Sequence, residues 1–105
     1  MMPSVLRGAC LAAVLLLGAT PLRAETINVT IDNFTFTPAQ VTVKVGDTVT
    51  WTNHDDIPHT VVSAGKYRSK TLDTDDSFSF TFAARGDYTY FCSLHPHMTG
   101  LVKVE

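Results

Sequence analysis

The chain has 105 residues, 45% of them hydrophobic and 17% charged, with a formal net charge of −2. That length supports one domain with a single core. No basic run is present, which argues against nucleic acid or an anionic membrane surface as a partner.

The first 24 residues read as a targeting signal. Arg7 precedes an apolar run from Ala9 to Leu17, then come Gly18 and Pro21, and small Ala24 stands before polar Glu25-Thr26. About nine consecutive apolar residues fall well short of the ~20 that a spanning helix needs. The pattern is that of a secretory signal peptide cleaved after Ala24. Residues 1–24 are therefore expected to be the signal peptide and 25–105 the domain, with no membrane anchor after cleavage. Removing 24 of the 105 residues leaves 81, and with Arg7 and Arg23 gone six basic residues face ten acidic ones, a net charge of −4.

The remainder alternates with the period of strands. Ile27, Val29 and Ile31 alternate with Asn28, Thr30 and Asp32, and Phe34 and Phe36 continue the pattern towards Thr37-Pro38. Val41, Val43 and Val45 follow, then a turn at Gly46-Asp47, then Val49 and Trp51 among threonines. Asn53 to Pro58 form a loop that leads to His59. Lys66-Tyr67-Arg68-Ser69-Lys70 reads as a polar loop, and Asp73, Asp75 and Asp76 as a solvated turn. Phe78, Phe80 and Phe82 alternate with Ser77, Ser79 and Thr81, and Tyr88, Tyr90 and Cys92 share a face of the next strand. These aromatic stripes are expected to be core. Leu101 to Val104 closes the chain. Dominance of β-branched and aromatic residues, with no long helical period, predicts an all-β sandwich of about seven or eight short strands.

The chemistry is concentrated near the C-terminus. Cys92, His95 and Met98 are spaced Cys-x2-His-x2-Met at the end of an aromatic strand, on a loop that Gly100 closes. Cys92 is the only cysteine left after cleavage, so no internal disulfide can form, and a lone thiol in an oxidising compartment is expected to be buried or ligated. His59 lies upstream between Pro58 and Thr60. Loops of a sandwich gather at its two ends, so His59 and the Cys92–Met98 segment can converge at one pole. Two imidazoles, a thiolate and a weak axial thioether select copper for electron transfer, whereas zinc sites rarely use methionine. His97, at Cys92-x4-His97, competes with His95, but adjacent Met98 could then hardly turn back to an axial position. His54 reads as a solvated loop residue; a second metal site shared with His97 is the alternative.

These residues resemble those of the cupredoxins, the small blue copper proteins, and among them most closely the amicyanins. The short ligand loop from Cys92 to Met98, the export signal, and Val49-Thr50-Trp51-Thr52-Asn53 followed by Pro58-His59 carry the likeness. Two positions depart from it: His97 replaces the usual apolar aromatic and Leu94 the usual proline. The resemblance implies a Greek-key β-sandwich holding one type 1 copper ion that cycles between Cu(I) and Cu(II). It implies His59, Cys92 and His95 as equatorial ligands, Met98 as the long axial ligand, and Asn53 as a hydrogen-bonded link between the ligand loops, through Ser93. It further implies a monomer in the periplasm, with redox proteins as electron donor and acceptor, such as a periplasmic dehydrogenase and a c-type cytochrome. No enzymatic activity is expected, because a copper oxidase or reductase needs an open second metal site or a further domain, and 81 residues provide neither. Copper carriage to a partner is the alternative function.

Overall fold

The computed structural model describes residues 23–105. The expected signal peptide lies outside them, apart from its last two residues. Where apolar side chains recur at every second position, the chain forms strands: β1 (Thr26–Asp32), β2 (Thr35–Thr37), β3 (Gln40–Val43), β4 (Thr48–Asn53), β5 (Val62–Ser63), β6 (Tyr67–Arg68), β7 (Ser77–Thr81), β8 (Gly86–Cys92) and β9 (His95–Val104). No helix occurs among the described residues.

Two sheets face each other, one in the order β2-β1-β4-β7 and the other β3-β9-β8-β5-β6. Both are mixed, because β1 runs parallel to β4 and β3 parallel to β9 while the other pairs are antiparallel. Trp51 of β4 is fully buried and meets Tyr90 of β8 edge-on at 5.3 Å and Tyr67 of β6 at 5.7 Å. Phe36 of β2 meets Tyr90 at 4.7 Å. These rings join the sheets, and Phe78, Phe80 and Tyr88 pack against the same core as expected of the aromatic stripes.

The strand count exceeds the expected seven or eight because Lys66–Lys70 is not a free polar loop. Tyr67 turns inward and stacks on Phe80 at 4.6 Å, and buried Ser69 accepts the Val61 amide N–H at 2.8 Å. β5 and β6 thereby form a short hairpin. Phe34 also departs from expectation. Rather than continuing β1, it occupies a two-residue turn with Asn33, whose φ values are +52° and +58°. Both central residues of such a hairpin turn are left-handed, which suits Asn-Gly. A bulky ring there is an outlier costing about 1–3 kcal/mol.

Candidate metal centre

Each prospective ligand is fixed by a different device. His59 follows the β4 loop, and its backbone forms a bridge with Leu72: its N–H donates to the Leu72 carbonyl at 3.1 Å and its carbonyl accepts the Leu72 N–H at 2.8 Å. Cys92 ends β8 on the inward face shared with Tyr90, fully buried. A two-residue turn, Ser93-Leu94, leads into β9, where Cys92 pairs with His95.

The expected ligand loop is therefore a distortion within a strand. Phe91 pairs with Thr99 while Cys92 pairs with His95, so Pro96, His97 and Met98 are extra residues on β9. Such a bulge bends the strand and re-aims its side chains. It leaves His95 half-buried, Pro96 and His97 exposed, and Met98 buried at 6% exposure. Gly100 lies inside β9 opposite Tyr90, and a Cβ there would fall on the Tyr90 ring. Close approach of that ring is what requires glycine.

Three donor atoms converge. Cys92 Sγ lies 3.7 Å from His59 Nδ1 and 3.6 Å from His95 Nδ1, and the two Nδ1 atoms are 3.2 Å apart. Bonds of about 2.0–2.1 Å to imidazole and about 2.3 Å to thiolate, as around zinc, give triangle edges of roughly 3.5–3.8 Å. The observed triangle agrees within a few tenths of an ångström, so a small metal ion fits between these residues. His59, Cys92 and His95 are the one convergent group of three or more His, Cys, Asp or Glu side chains among the described residues. His97 stays outside it, which separates the two competing imidazoles. His54 is exposed, with Nδ1 3.8 Å from Asp75.

Surrounding hydrogen bonds orient the donors. Asp55 Oδ2 lies 2.7 Å from His59 Nε2. An ionised carboxylate only accepts, so the proton sits on Nε2 and the Nδ1 lone pair is free to face the sulfur. Asp55 also accepts the backbone N–H of Asn33 at 2.6 Å and of Phe34 at 3.0 Å. Burial would push this carboxyl up, but the Phe34 and Asn33 amides and His59 outweigh it and hold it at about 2. Sequence reasoning missed Asp55, which read as part of a solvated loop. The spacing Asp55-x3-His59 was the available signal.

The link between the ligand loops is also not the expected one. Asn53 does not reach Ser93. Its Nδ2 donates to the Ile57 and Leu72 carbonyls, each at 2.9 Å, and its Oδ1 accepts the Asp55 N–H at 2.9 Å. It shapes the His59 loop from within, because it is completely buried at the end of β4. Thr60 makes the cross-link. Its Oγ1 accepts the Ser93 N–H at 2.8 Å and contacts Ser93 Oγ at 2.8 Å. Its backbone N–H points at Cys92 Sγ at 3.4 Å, and its hydroxyl lies 3.8 Å from the same sulfur. A β-branched residue next to a ligand gave no sequence sign of this role.

Mixed sheets in a two-layer sandwich, with a Cys-His-His triangle at one end, define a cupredoxin. The family model for the cupredoxin-like domain matches residues 8–104, and the chain belongs to that family. It is similar to amicyanin of Paracoccus versutus, 34% identical over 83% of this chain and 70% of the relative. Among solved structures, a purple cupredoxin from Nitrosopumilus maritimus is 34% identical, with a TM-score of 0.72 over 75% of this chain and 99% of that one. A Cu(I) amicyanin variant is 32% identical, with a TM-score of 0.73 over 84% of this chain and 88% of that one. The donor set here fits one type 1 copper ion.

Proposed function

We propose that the protein is a periplasmic blue copper protein that carries single electrons between redox partners. The supporting observation is the buried triangle of Cys92 Sγ, His59 Nδ1 and His95 Nδ1. His59, Cys92 and His95 would hold the ion, with the thioether of buried Met98, on the bulge of β9, as a weaker fourth donor. Copper bound there supplies a one-electron Cu(I)/Cu(II) couple, because thiolate and thioether favour Cu(I) while imidazole also suits Cu(II).

The chain's own residues account for how such a site works. Asp55 and Leu72 hold His59 from opposite ends, and Thr60 holds Cys92 against Ser93, so the donors have little freedom to rearrange when the charge changes. His59 is fully buried and His95 only partly so, which makes the His95 edge the route to a donor and an acceptor, such as a dehydrogenase and a c-type cytochrome. Exposed Leu94, with neighbouring Pro96, offers an apolar rim there. A fixed donor set and a cupredoxin fold favour electron carriage over catalysis. Copper delivery would call for additional donors at the rim, and His54, the remaining candidate beside His97, is turned towards Asp75.

The working form would be a monomer of residues 25–105 after cleavage following Ala24. The Glu25 nitrogen lies 2.9 Å from Asp47 Oδ1, so the new α-ammonium would meet a carboxylate already in place. Mass measurement of the exported protein should give a chain beginning at Glu25.

The principal test is the visible and EPR spectrum of Cu(II)-loaded protein beside Cys92→Ser. An intense blue charge-transfer band with narrow hyperfine splitting, lost in the variant, is expected. A colourless protein that takes only Cu(I), or an ordinary Cu(II) spectrum, would move the reading to copper carriage.

A further inference from the structure

The turn between β1 and β2 keeps an aromatic ring where the backbone asks for glycine. Asn33 and Phe34 are both left-handed, at φ +52° and +58°. Phe34 is 49% exposed and stands outside the core cluster, so burial in the core does not explain the ring. Its contacts suggest another reason. The ring stands edge-on to His59, with centroids 5.5 Å apart, and edge-on to His95 at 5.0 Å. Those imidazoles are 4.9 Å apart, and the phenyl ring spans both. Asp55 locks the arrangement: one carboxylate accepts both turn amides and contacts His59 Nε2.

We propose that Phe34 is a fixed lid on the metal centre, shielding the two imidazoles from water and from small external ligands. The proposal rests on the copper reading above. A strained position is retained because a phenyl ring placed there closes the site between His59 and half-buried His95. Asp55 keeps the lid and one metal ligand in a single frame, so the lid cannot swing away without disturbing His59. Anions and neutral nitrogen donors small enough to reach copper are the ligands that it excludes.

The test uses Cu(II)-loaded wild type, Phe34→Ala and Phe34→Gly, titrated with sodium azide and with imidazole and followed by visible and EPR spectroscopy. Copper extraction by EDTA is timed in parallel. Wild type should keep its spectrum throughout. Both variants should show a saturable spectral change and lose copper at least tenfold faster. Phe34→Gly suits the positive φ, and its apo form should melt at or above the wild-type temperature, which keeps the test valid if Phe34→Ala folds poorly. Variants as indifferent to azide and imidazole as wild type, with extraction rates within twofold, would overturn the lid. Absence of a thiolate-to-copper band in wild type would instead overturn the copper reading itself.

Discussion

Asp55 and Thr60 stand behind the candidate donors, Asp55 on His59 Nε2, the ring nitrogen turned away from Cys92, and Thr60 on the Cys92 sulfur. Outer hydrogen bonds of this kind commonly contribute 10–100-fold to metal affinity. Asp55→Ala frees the His59 ring and the Asn33-Phe34 turn together, so copper affinity should fall by about 10–100-fold in a competition titration. Thr60→Val keeps the backbone N–H that points at Cys92 but removes the acceptor of the Ser93 N–H. That change should cost about 1 kcal/mol in chemical denaturation. It should also lower the reduction potential, because a hydroxyl near the thiolate withdraws electron density and favours Cu(I); voltammetry showing a rise would contradict this. Neither residue was legible as functional from the chain alone. Asp55 looked like one of several loop acids although His59 follows only four positions on, and Thr60 like one of many threonines because its partners Cys92 and Ser93 lie 32 and 33 positions away.

At the level of elements, β8 and β9 combine a tight turn with a bulge. The spacing Cys92-x2-His95-x2-Met98 was visible as a ligand motif, yet its backbone read as a loop. Pairing of Cys92 with His95 makes it a strand, and the register shift at Phe91 makes room for Pro96 to Met98. Gly100→Ala would press a methyl group onto Tyr90, whose ring is held between Phe36 and Trp51. Overpacking of this sort costs about 1–3 kcal/mol, and each kcal/mol lowers Tm by about 4–8 °C in a domain of this size. Across β4 and β7, the alternating hydroxyls face one another as Thr48–Thr81, Thr50–Ser79 and Thr52–Ser77 pairs at 2.7–2.8 Å. The turn before β4 depends on Asp47, which accepts the N–H groups of Lys44 and Glu25. Those bonds, the Lys44 one foremost, hold its carboxyl below the ordinary value of 3.8. A depressed carboxyl pKa stabilises the fold above the ordinary value, and the benefit is lost as pH falls through the folded one. Asp47→Asn should therefore melt below wild type at pH 7, and the gap should narrow once the pH drops under about 4.

For the molecule as a whole, one aromatic core joins the two sheets that carry the candidate metal centre. Trp51→Ala should cost about 3–5 kcal/mol, against a total of about 4–12 kcal/mol for a domain of about 80 residues. The apo variant should then be close to unfolding in a thermal scan. Copper, binding only the folded form, should raise Tm of both variant and wild type, and a chelator should reverse the gain.

Alternation of apolar and polar residues determined, without the tertiary structure, that the chain would form a two-layer β-sandwich, because a half-buried strand repeats every two residues wherever it lies. The thiolate of Cys92 and the imidazoles of His59 and His95 likewise pointed to copper, because donor softness belongs to the residue itself. Tertiary structure decided how one carboxylate, Asp55, joins His59 to the Asn33-Phe34 turn, which hydroxyl ties the two loops, and where Phe34 places its ring. Those outcomes depend on register, on a bulge and on contacts between segments far apart in the chain, and no local pattern of residues encodes them.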